Sequence, residues 1–195
     1  MIKLHKEAIK FLIHQRSQFK IDDDFEYIEN MYNKLCENYC DMLFKSIPKD
    51  IKTICDVGGG IGGISVVLAQ RGYKVVILEK NGFDEDKRKG GFNTKESFAA
   101  YNTEEVTKKI WIASGLKETD FNYINVDKPF DFPVCDLVFS SLSWGFHYPL
   151  GTYWESANKS KFVVADCRGI EPIPDNHKVL QDRPTYKTCL WTNDV

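Results

Sequence analysis

Apolar residues in the first fifty positions recur at the spacing of a helix. Within residues 22–47 they return every three or four positions along one stripe: Phe25, Ile28, Met31, Leu35, Tyr39, Met42 and Leu43. This period is typical of an amphipathic helix, and an earlier helix is predicted near the N-terminus. The aspartates at 22–24 stand where an N-cap and first-turn carboxylates belong, so we interpret them as capping groups and not as a divalent-metal site.

From Thr53 the pattern changes to short apolar runs with helical or loop material between them. Strands are predicted at 53–58, 74–80, 122–126, 135–143 and 161–168, with a further candidate at 186–191. A helix is predicted at 61–72, ending on Gly72 as an αL glycine. Strands alternating with helices predict an α/β fold with a doubly wound, mostly parallel, Rossmann-like sheet. We expect a helical N-terminal extension (1–50) that could act as a lid, followed by a cofactor-binding domain (51–195).

Composition excludes several function classes. The chain has 195 residues, 43% of them apolar and 28% charged, with a net charge of −2. This balance predicts no nucleic-acid partner, and no stretch approaches the roughly 18 apolar residues of a membrane span. The N-terminus lacks the apolar core of a signal peptide. The six cysteines include no C-x-x-C pair, which favours a reducing, cytoplasmic location and predicts no metal site.

The segment 54–80, ICDVGGGIGGISVVLAQRGYKVVILEK, contains two overlapping cofactor fingerprints. The G-x-G-x-x-G of NAD and FAD proteins falls on Gly58, Gly60 and Gly63. The D-x-G-x-G-x-G of S-adenosylmethionine (SAM) methyltransferases falls on Asp56, Gly58, Gly60 and Gly62. In either class the glycines let the chain turn tightly and let backbone amides approach an anionic group. The glycines alone therefore do not distinguish the ligands.

Three features favour SAM over a flavin. Asp56 stands where flavin and NAD proteins carry an apolar residue, and in methyltransferases an acid there faces the ammonium end of the cofactor. The interval from Gly58 to Glu79 is shorter than in the flavin pattern, and the chain is short for the second domain of an FAD enzyme. Glu79 suits both classes, because its carboxylate can accept hydrogen bonds from two ribose hydroxyls. We predict SAM as cofactor and S-adenosylhomocysteine (SAH) as product; a plain turn-forming role for Asp56 is the alternative.

Three further blocks resemble a group of bacterial class I SAM-dependent O-methyltransferases associated with capsule or lipopolysaccharide biosynthesis. The blocks fall on Gly91-Phe92 with Tyr101-Asn102, on Ser143–Pro149 with Thr152-Tyr153, and on Asp166 with Arg168. The resemblance covers roughly residues 50 to 170 and implies a sugar O-methyltransferase. One departure concerns the C-terminus, where the short chain after Arg168 leaves room for one strand in place of the usual antiparallel pair.

Methylation of a neutral hydroxyl requires a base, and His147 is the best candidate. It follows the fourth predicted strand, at the edge where ligands of open α/β sheets bind. The pocket would be lined by Trp144, Phe146, Tyr148 and Tyr153, and either Tyr148 or Tyr153 could orient the acceptor through its hydroxyl. Packing in the core is the alternative for each of these aromatic residues.

Other candidate contacts lie at the ends of the remaining strands. Arg168 could bind a phosphate or carboxylate of the acceptor, or could pair with Asp166 or Glu171. Asp127 stands where this fold commonly recognises adenine, with a turn role as the alternative. Ser141 and Leu142, at the end of the fourth predicted strand, could line the cofactor through their backbone.

The leading hypothesis is a SAM-dependent O-methyltransferase acting on a small acceptor, a nucleotide- or lipid-linked glycan precursor. One alternative acceptor is an already anionic phosphate- or phosphoramidate-type oxygen, for which no base is needed. N-methylation is disfavoured because the [DNS]-P-P-[YFW] signature is missing after the fourth strand. From other classes, a small FAD- or NAD-binding protein and a module that binds SAM without turnover remain alternatives.

Overall fold

The computed structural model describes residues 1–15, 19–20, 23–81, 103–169 and 172–193, and within α1 the side chains of residues 10, 14 and 15 are outside the description. The helices are α1 (Lys6–Gln15), α2 (Phe25–Leu43), α3 (Gly63–Gln70), α4 (Glu104–Ala113) and the short α5 (Trp154–Ala157). The strands are β1 (Thr53–Val57), β2 (Lys74–Glu79), β3 (Tyr123–Asn125), β4 (Leu137–Ser140), β5 (Phe162–Cys167), β6 (Lys178–Arg183) and β7 (Tyr186–Thr192).

These strands form one sheet in the order β3-β2-β1-β4-β5-β7-β6. The first five in this order are parallel neighbours, and β7 runs antiparallel to both β5 and β6. The strand order reverses between β1 and β4, which makes their carboxyl ends the topological switch point where ligands of open α/β sheets bind. The predicted doubly wound, Rossmann-like α/β fold is confirmed.

The C-terminal end of the sheet differs from the prediction. The sequence predicts one strand after Arg168, whereas the structure has two, β6 and β7, which form an antiparallel pair. The sequence pattern does not predict β6, because this strand lies at the edge of the sheet and is mostly exposed. Its sequence, KVLQDR, therefore contains no buried apolar run. A register shift between Val179 and Gln181 further breaks its alternation.

Alternation along the strands divides the core into two layers. On one face, side chains such as Ile54, Ile77 and Phe139 pack with residues of α1 to α4. On the other face, Cys55 and Val138 pack with residues of α5 and of the connecting segments. All six cysteines are buried free thiols. Asp56 lies two residues after Ile54 in β1, so its side chain points to the same face of the sheet, on which α1 to α4 pack.

The N-terminal helices behave as their pattern predicts. Asp24 is the N-cap of α2, and its carboxylate accepts hydrogen bonds from the amides of Glu26 and Tyr27. Buried residues of both helices belong to the same apolar cluster as the sheet, so they are part of one core.

Gly72 has φ +93° and ends α3 as predicted. Among the described residues, no helix has the length and apolar character needed to cross a membrane.

Candidate active site

The glycine loop connects β1 to α3 at the switch point. Gly58, Gly60 and Gly62 have φ values of +71°, +56° and +75°, in the left-handed region that side chains with a Cβ rarely adopt. The amide of Gly58 donates a 2.7 Å hydrogen bond to the carbonyl of Leu78 in β2, and Gly62 is the N-cap of α3. The loop therefore brings a tight turn, backbone amides and a helix N-terminus to one place.

Glu79 lies directly beside this loop. One carboxylate oxygen accepts the amide of Gly60 at 2.8 Å, and the other accepts the amide of Lys80 at 2.7 Å. Burial raises the pKa of Glu79, while these two amide donors oppose the rise. A carboxylate at the end of β2, next to Gly60, has the position expected of a group that receives ribose hydroxyls.

Asp56 is buried at the end of β1. It is 2% exposed, and its carboxylate accepts the Ser65 hydroxyl of α3 at 2.6 Å. Burial raises its pKa to about 7, with Ser65 opposing the rise and Glu79 adding to it. The contact with Ser65 fixes the first turn of α3 against β1. A further contact to the ammonium end of a cofactor remains a prediction.

The segment after β4 is held by the sheet beneath it. The Ser140 hydroxyl donates to the carbonyl of Val57 and accepts the amide of Trp144, both at 2.8 Å. Trp144 is fully buried, and its indole nitrogen donates to the carbonyl of Leu150 at 2.8 Å. Trp144 therefore lies in the core and not on a pocket wall, which corrects the expectation that it lines the acceptor site.

Two tyrosines lie near the glycine loop. Burial raises the pKa of Tyr148 well above the usual range, and the neighbouring Ser143 side chain opposes the rise. A Cβ on Gly58 would overlap the Ser143 side chain and would lie 3.7 Å from the Tyr148 hydroxyl. The ring of Tyr153 is 6.1 Å from that of Tyr148 and nearly perpendicular to it. Ser143 is a site residue that we did not single out, although it opens the S-W-G-F-H-Y-P block.

His147 and Arg168 both lie against the ring of Phe146. The rings of His147 and Phe146 are 4.6 Å apart and nearly perpendicular, and the Arg168 guanidinium lies 5.2 Å from the Phe146 ring centre. Burial, with the nearby Arg168 cation adding to its effect, lowers the pKa of His147 to about 4. The imidazole is therefore neutral at pH 7.

Arg168 is exposed at the end of β5. Of its two expected pairing partners, Asp166 directs its carboxylate to the amide of Leu142 and the hydroxyl of Thr188. Glu171 lies outside the described residues. This arrangement leaves the guanidinium at the surface, beside His147.

Asp127 and Ser141 flank the same edge of the sheet. Asp127 is exposed, and its amide donates to the Asn125 side chain at 2.9 Å in a turn after β3. Its charge contributes to the raised pKa of Glu79. The hydroxyl of Tyr39 donates to the carbonyl of Ser140, the residue before Ser141, at 3.5 Å. The helical stripe predicted Tyr39 as a core residue, and nothing in that pattern indicated that its hydroxyl reaches the end of β4.

The N-terminal helices also contact the glycine loop. A Cβ on Gly60 would lie 3.1 Å from the Phe11 ring of α1, and one on Gly63 would overlap the Tyr32 ring of α2. The segment 81–93 is charged and glycine-rich, which predicts a mobile loop; apart from Asn81 it lies outside the described residues, as do Gly91-Phe92 and Tyr101-Asn102. Within the described part of the chain, no three His, Cys, Asp or Glu side chains are grouped so as to hold a metal ion.

No family model and no curated protein sequence matches the chain. Solved structures do match. A hypothetical protein of Thermus thermophilus gives a TM-score of 0.53 at 12% identity, over 99% of this chain and 93% of that one. A proposed methylase of Haemophilus influenzae gives 0.51 at 18%, over 81% and 98%. The magnesium protoporphyrin IX methyltransferase ChlM of Synechocystis PCC 6803, with bound SAM, gives 0.50 at 12%, over 96% and 97%. The chain shares the fold of these proteins.

Proposed function

We propose that the chain is a SAM-dependent O-methyltransferase that acts on a small acceptor. The observation that carries the proposal is the pairing of Glu79 with the Gly60 amide, inside a loop of three left-handed glycines at the switch point. This arrangement presents the N-terminus of α3 to an anionic group and a carboxylate to a pair of hydroxyls. The same fold in ChlM was solved with SAM bound. Bound SAM would supply an electrophilic methyl group.

The residues around His147 favour an acceptor oxygen that is already anionic. A pKa of about 4 makes the imidazole a weak base, which suits it poorly to deprotonating a sugar hydroxyl. Arg168 presents an exposed guanidinium beside it, the group that binds phosphate-type oxygens through paired N–H donors. The proposed acceptor is thus a phosphate- or phosphoramidate-type oxygen on a nucleotide-linked precursor of a bacterial surface glycan, methylated in the cytoplasm.

One observation favours the second candidate, a neutral sugar hydroxyl. His147 is half-buried, and its lowered pKa keeps it deprotonated at pH 7, which is the form a general base needs. Tyr148, with its hydroxyl near Gly58, would orient such an acceptor. In either case the enzyme acts by holding the acceptor in line with the methyl group.

Calorimetric titration with SAH, NAD and FAD, each added separately, tests the cofactor. Binding of SAH alone, accompanied by a higher unfolding midpoint, is the expected result. Binding of only FAD or NAD would overturn the methyltransferase proposal. Incubation with SAM and either nucleoside diphosphates or nucleotide sugars whose sugar itself carries no charge, with SAH production as the readout, then tests the acceptor. SAH formation with the nucleotide sugars but not with the nucleoside diphosphates would favour the hydroxyl candidate.

A further inference from the structure

The segment 141–149 after β4 carries most of the candidate acceptor residues, and its entry has an unfavourable backbone conformation. Leu142 has φ +54°, in the left-handed region that is disfavoured for a residue with a Cβ. The strand β4 has already ended at Ser140, so its ladder does not hold this residue. A conformation of this kind persists only where surrounding groups determine it.

Asp166 supplies the group that holds Leu142. It is fully buried in β5, and one of its carboxylate oxygens accepts the amide of Leu142 at 3.0 Å. Its other oxygen accepts the hydroxyl of Thr188 at 2.6 Å. Thr188 lies directly opposite Asp166 in the antiparallel pairing of β5 with β7. Thr188 therefore satisfies one oxygen of the carboxylate, and the other oxygen holds the Leu142 amide.

The backbone conformation of Leu142 determines where the residues that follow it lie. The next residue, Ser143, packs against Gly58 of the glycine loop, and its carbonyl accepts the amide of His147 at 2.7 Å. The carbonyl of Gly145 accepts the amide of Arg168 at 3.1 Å, which ties the same segment to the end of β5. A shift at Leu142 would therefore displace both the wall of the glycine loop and the imidazole.

We propose that Asp166 is a positioning residue, which acts on the donor and acceptor sites by holding Leu142 in its left-handed conformation. The proposal rests on the proposed function only in naming the positioned sites as a donor site and an acceptor site. The hold on the segment is a property of the ligand-free protein and can be measured without any substrate.

Hydrogen exchange of the ligand-free protein, followed by mass spectrometry, tests this hold. The amides of Leu142, Trp144, Gly145, Phe146 and His147 all donate hydrogen bonds, so the segment 141–149 is expected to be protected. Asp166→Ala is expected to speed its exchange by about tenfold or more, with α3 unchanged. The double variant Asp166→Ala/Leu142→Gly is expected to recover much of the protection, because glycine adopts the left-handed conformation without strain.

Two further variants separate positioning from general destabilisation. Thr188→Val removes the other hydrogen bond of Asp166 at an equally buried place, and is expected to leave exchange of 141–149 within about twofold of the wild type. Asp166→Asn keeps an acceptor oxygen for the Leu142 amide, and it replaces Asp166→Ala in the test if Asp166→Ala does not fold. In Asp166→Asn the segment 141–149 is expected to remain protected from exchange. Equal acceleration in Thr188→Val and Asp166→Ala, or none in Asp166→Ala, would overturn the proposal.

Titration with SAH connects the hold to the cofactor site. Asp166→Ala is expected to weaken SAH binding by about tenfold, because Ser143 no longer packs correctly on Gly58, and Leu142→Gly is expected to restore part of it. If the wild type does not bind SAH, the proposed function fails, whereas the exchange measurement still decides whether Asp166 holds the loop. An unaltered SAH affinity in Asp166→Ala with accelerated exchange would overturn the link to the cofactor site.

Discussion

The side chain of Ser143 packs against Gly58, so the segment after β4 and the loop after β1 leave no room for a Cβ between them. Gly58 also has φ +71°. Two independent constraints, one from the backbone and one from a neighbour, therefore require glycine at the first position of the loop. The second constraint joins the proposed cofactor loop to the proposed acceptor segment.

Gly58→Ala is expected to abolish detectable SAH binding and to destabilise the protein. The positive φ alone costs about 1–2 kcal/mol for a residue with a Cβ, and displacing Ser143 adds to this. Gly72→Ala is the matched control, because Gly72 has φ +93° but nothing within 4 Å of a Cβ. Urea unfolding and SAH titration of both variants provide the measurement. Undiminished SAH binding by Gly58→Ala would contradict the assigned site.

The contact between Ser143 and Gly58 joins segments that are far apart in the sequence, and local sequence patterns do not predict contacts of this kind. Local patterns predicted the strands β1, β2 and β5 and the capping role of Asp24, because burial and capping act within a few residues of the chain. The pattern did not predict β6, since an exposed edge strand leaves no apolar signature.

The candidate site was predicted unevenly for a related reason. Glu79 and the glycines belong to one short motif, and the structure brings them together. The aromatic run after β4 gives no indication of which ring turns inward, and Trp144 proved to be the buried one. The partnership of Asp166 with Leu142 joins different strands and depends on the pairing of β5 with β7, which no local pattern reveals.

The buried carboxylate of Asp56 predicts an unusual dependence of stability on pH. Its pKa is about 7 in the folded protein and about 4 in the unfolded chain, so the folded state binds more protons between these values. Stability therefore falls as the pH rises from about 4 to about 7 and is flat above. Asp56→Asn removes this slope and is expected to be more stable than the wild type at pH 8, by on the order of 2–3 kcal/mol.

Asp136 is the control, because its contribution to stability changes with pH in the opposite direction. The Lys161 ammonium and the amides of Lys52 and Thr53 hold its pKa well below the usual range. Its contribution is present above pH 4 and is lost as the pH falls through the folded-state pKa. Asp136→Asn is expected to cost about 1–3 kcal/mol at pH 7. Urea unfolding of the wild type and Asp56→Asn at pH 5 and pH 8, and of the wild type and Asp136→Asn at pH 3 and pH 5, measures the two slopes; slopes of the same sign would contradict the assignment.

Arg168 is expected to bind the acceptor and not the cofactor. Arg168→Gln should raise the KM of an anionic acceptor by about 10- to 100-fold and leave the SAH affinity unchanged, with Arg168→Lys intermediate because an ammonium lacks the paired donors. Arg183→Gln, which removes the same charge from the exposed strand β6, is the control. Steady-state kinetics with an acceptor from the nucleotide panel measure the effect. An equal loss in both arginine variants would indicate a general electrostatic effect.

His147 should titrate far below an ordinary histidine. Because burial and Arg168 both disfavour the imidazolium, its pKa is about 4 when folded and about 6.5 when unfolded. The stability it contributes is present above pH 6.5 and is lost as the pH falls toward 4. NMR titration of the imidazole protons is expected to give the low value, and Arg168→Gln is expected to raise it, since a cation no longer opposes protonation; Arg183→Gln should not.

The same imidazole decides between the two acceptors. With an anionic acceptor, His147→Ala is expected to reduce kcat by less than about tenfold, because no proton has to be removed. With a neutral hydroxyl and His147 as base, the loss is expected to reach about 10²- to 10⁴-fold at unchanged SAH affinity. His5→Ala, at a partly exposed histidine near the N-terminus, controls for the substitution itself. A loss above 100-fold with an anionic acceptor would contradict the proposal that the acceptor oxygen arrives already deprotonated.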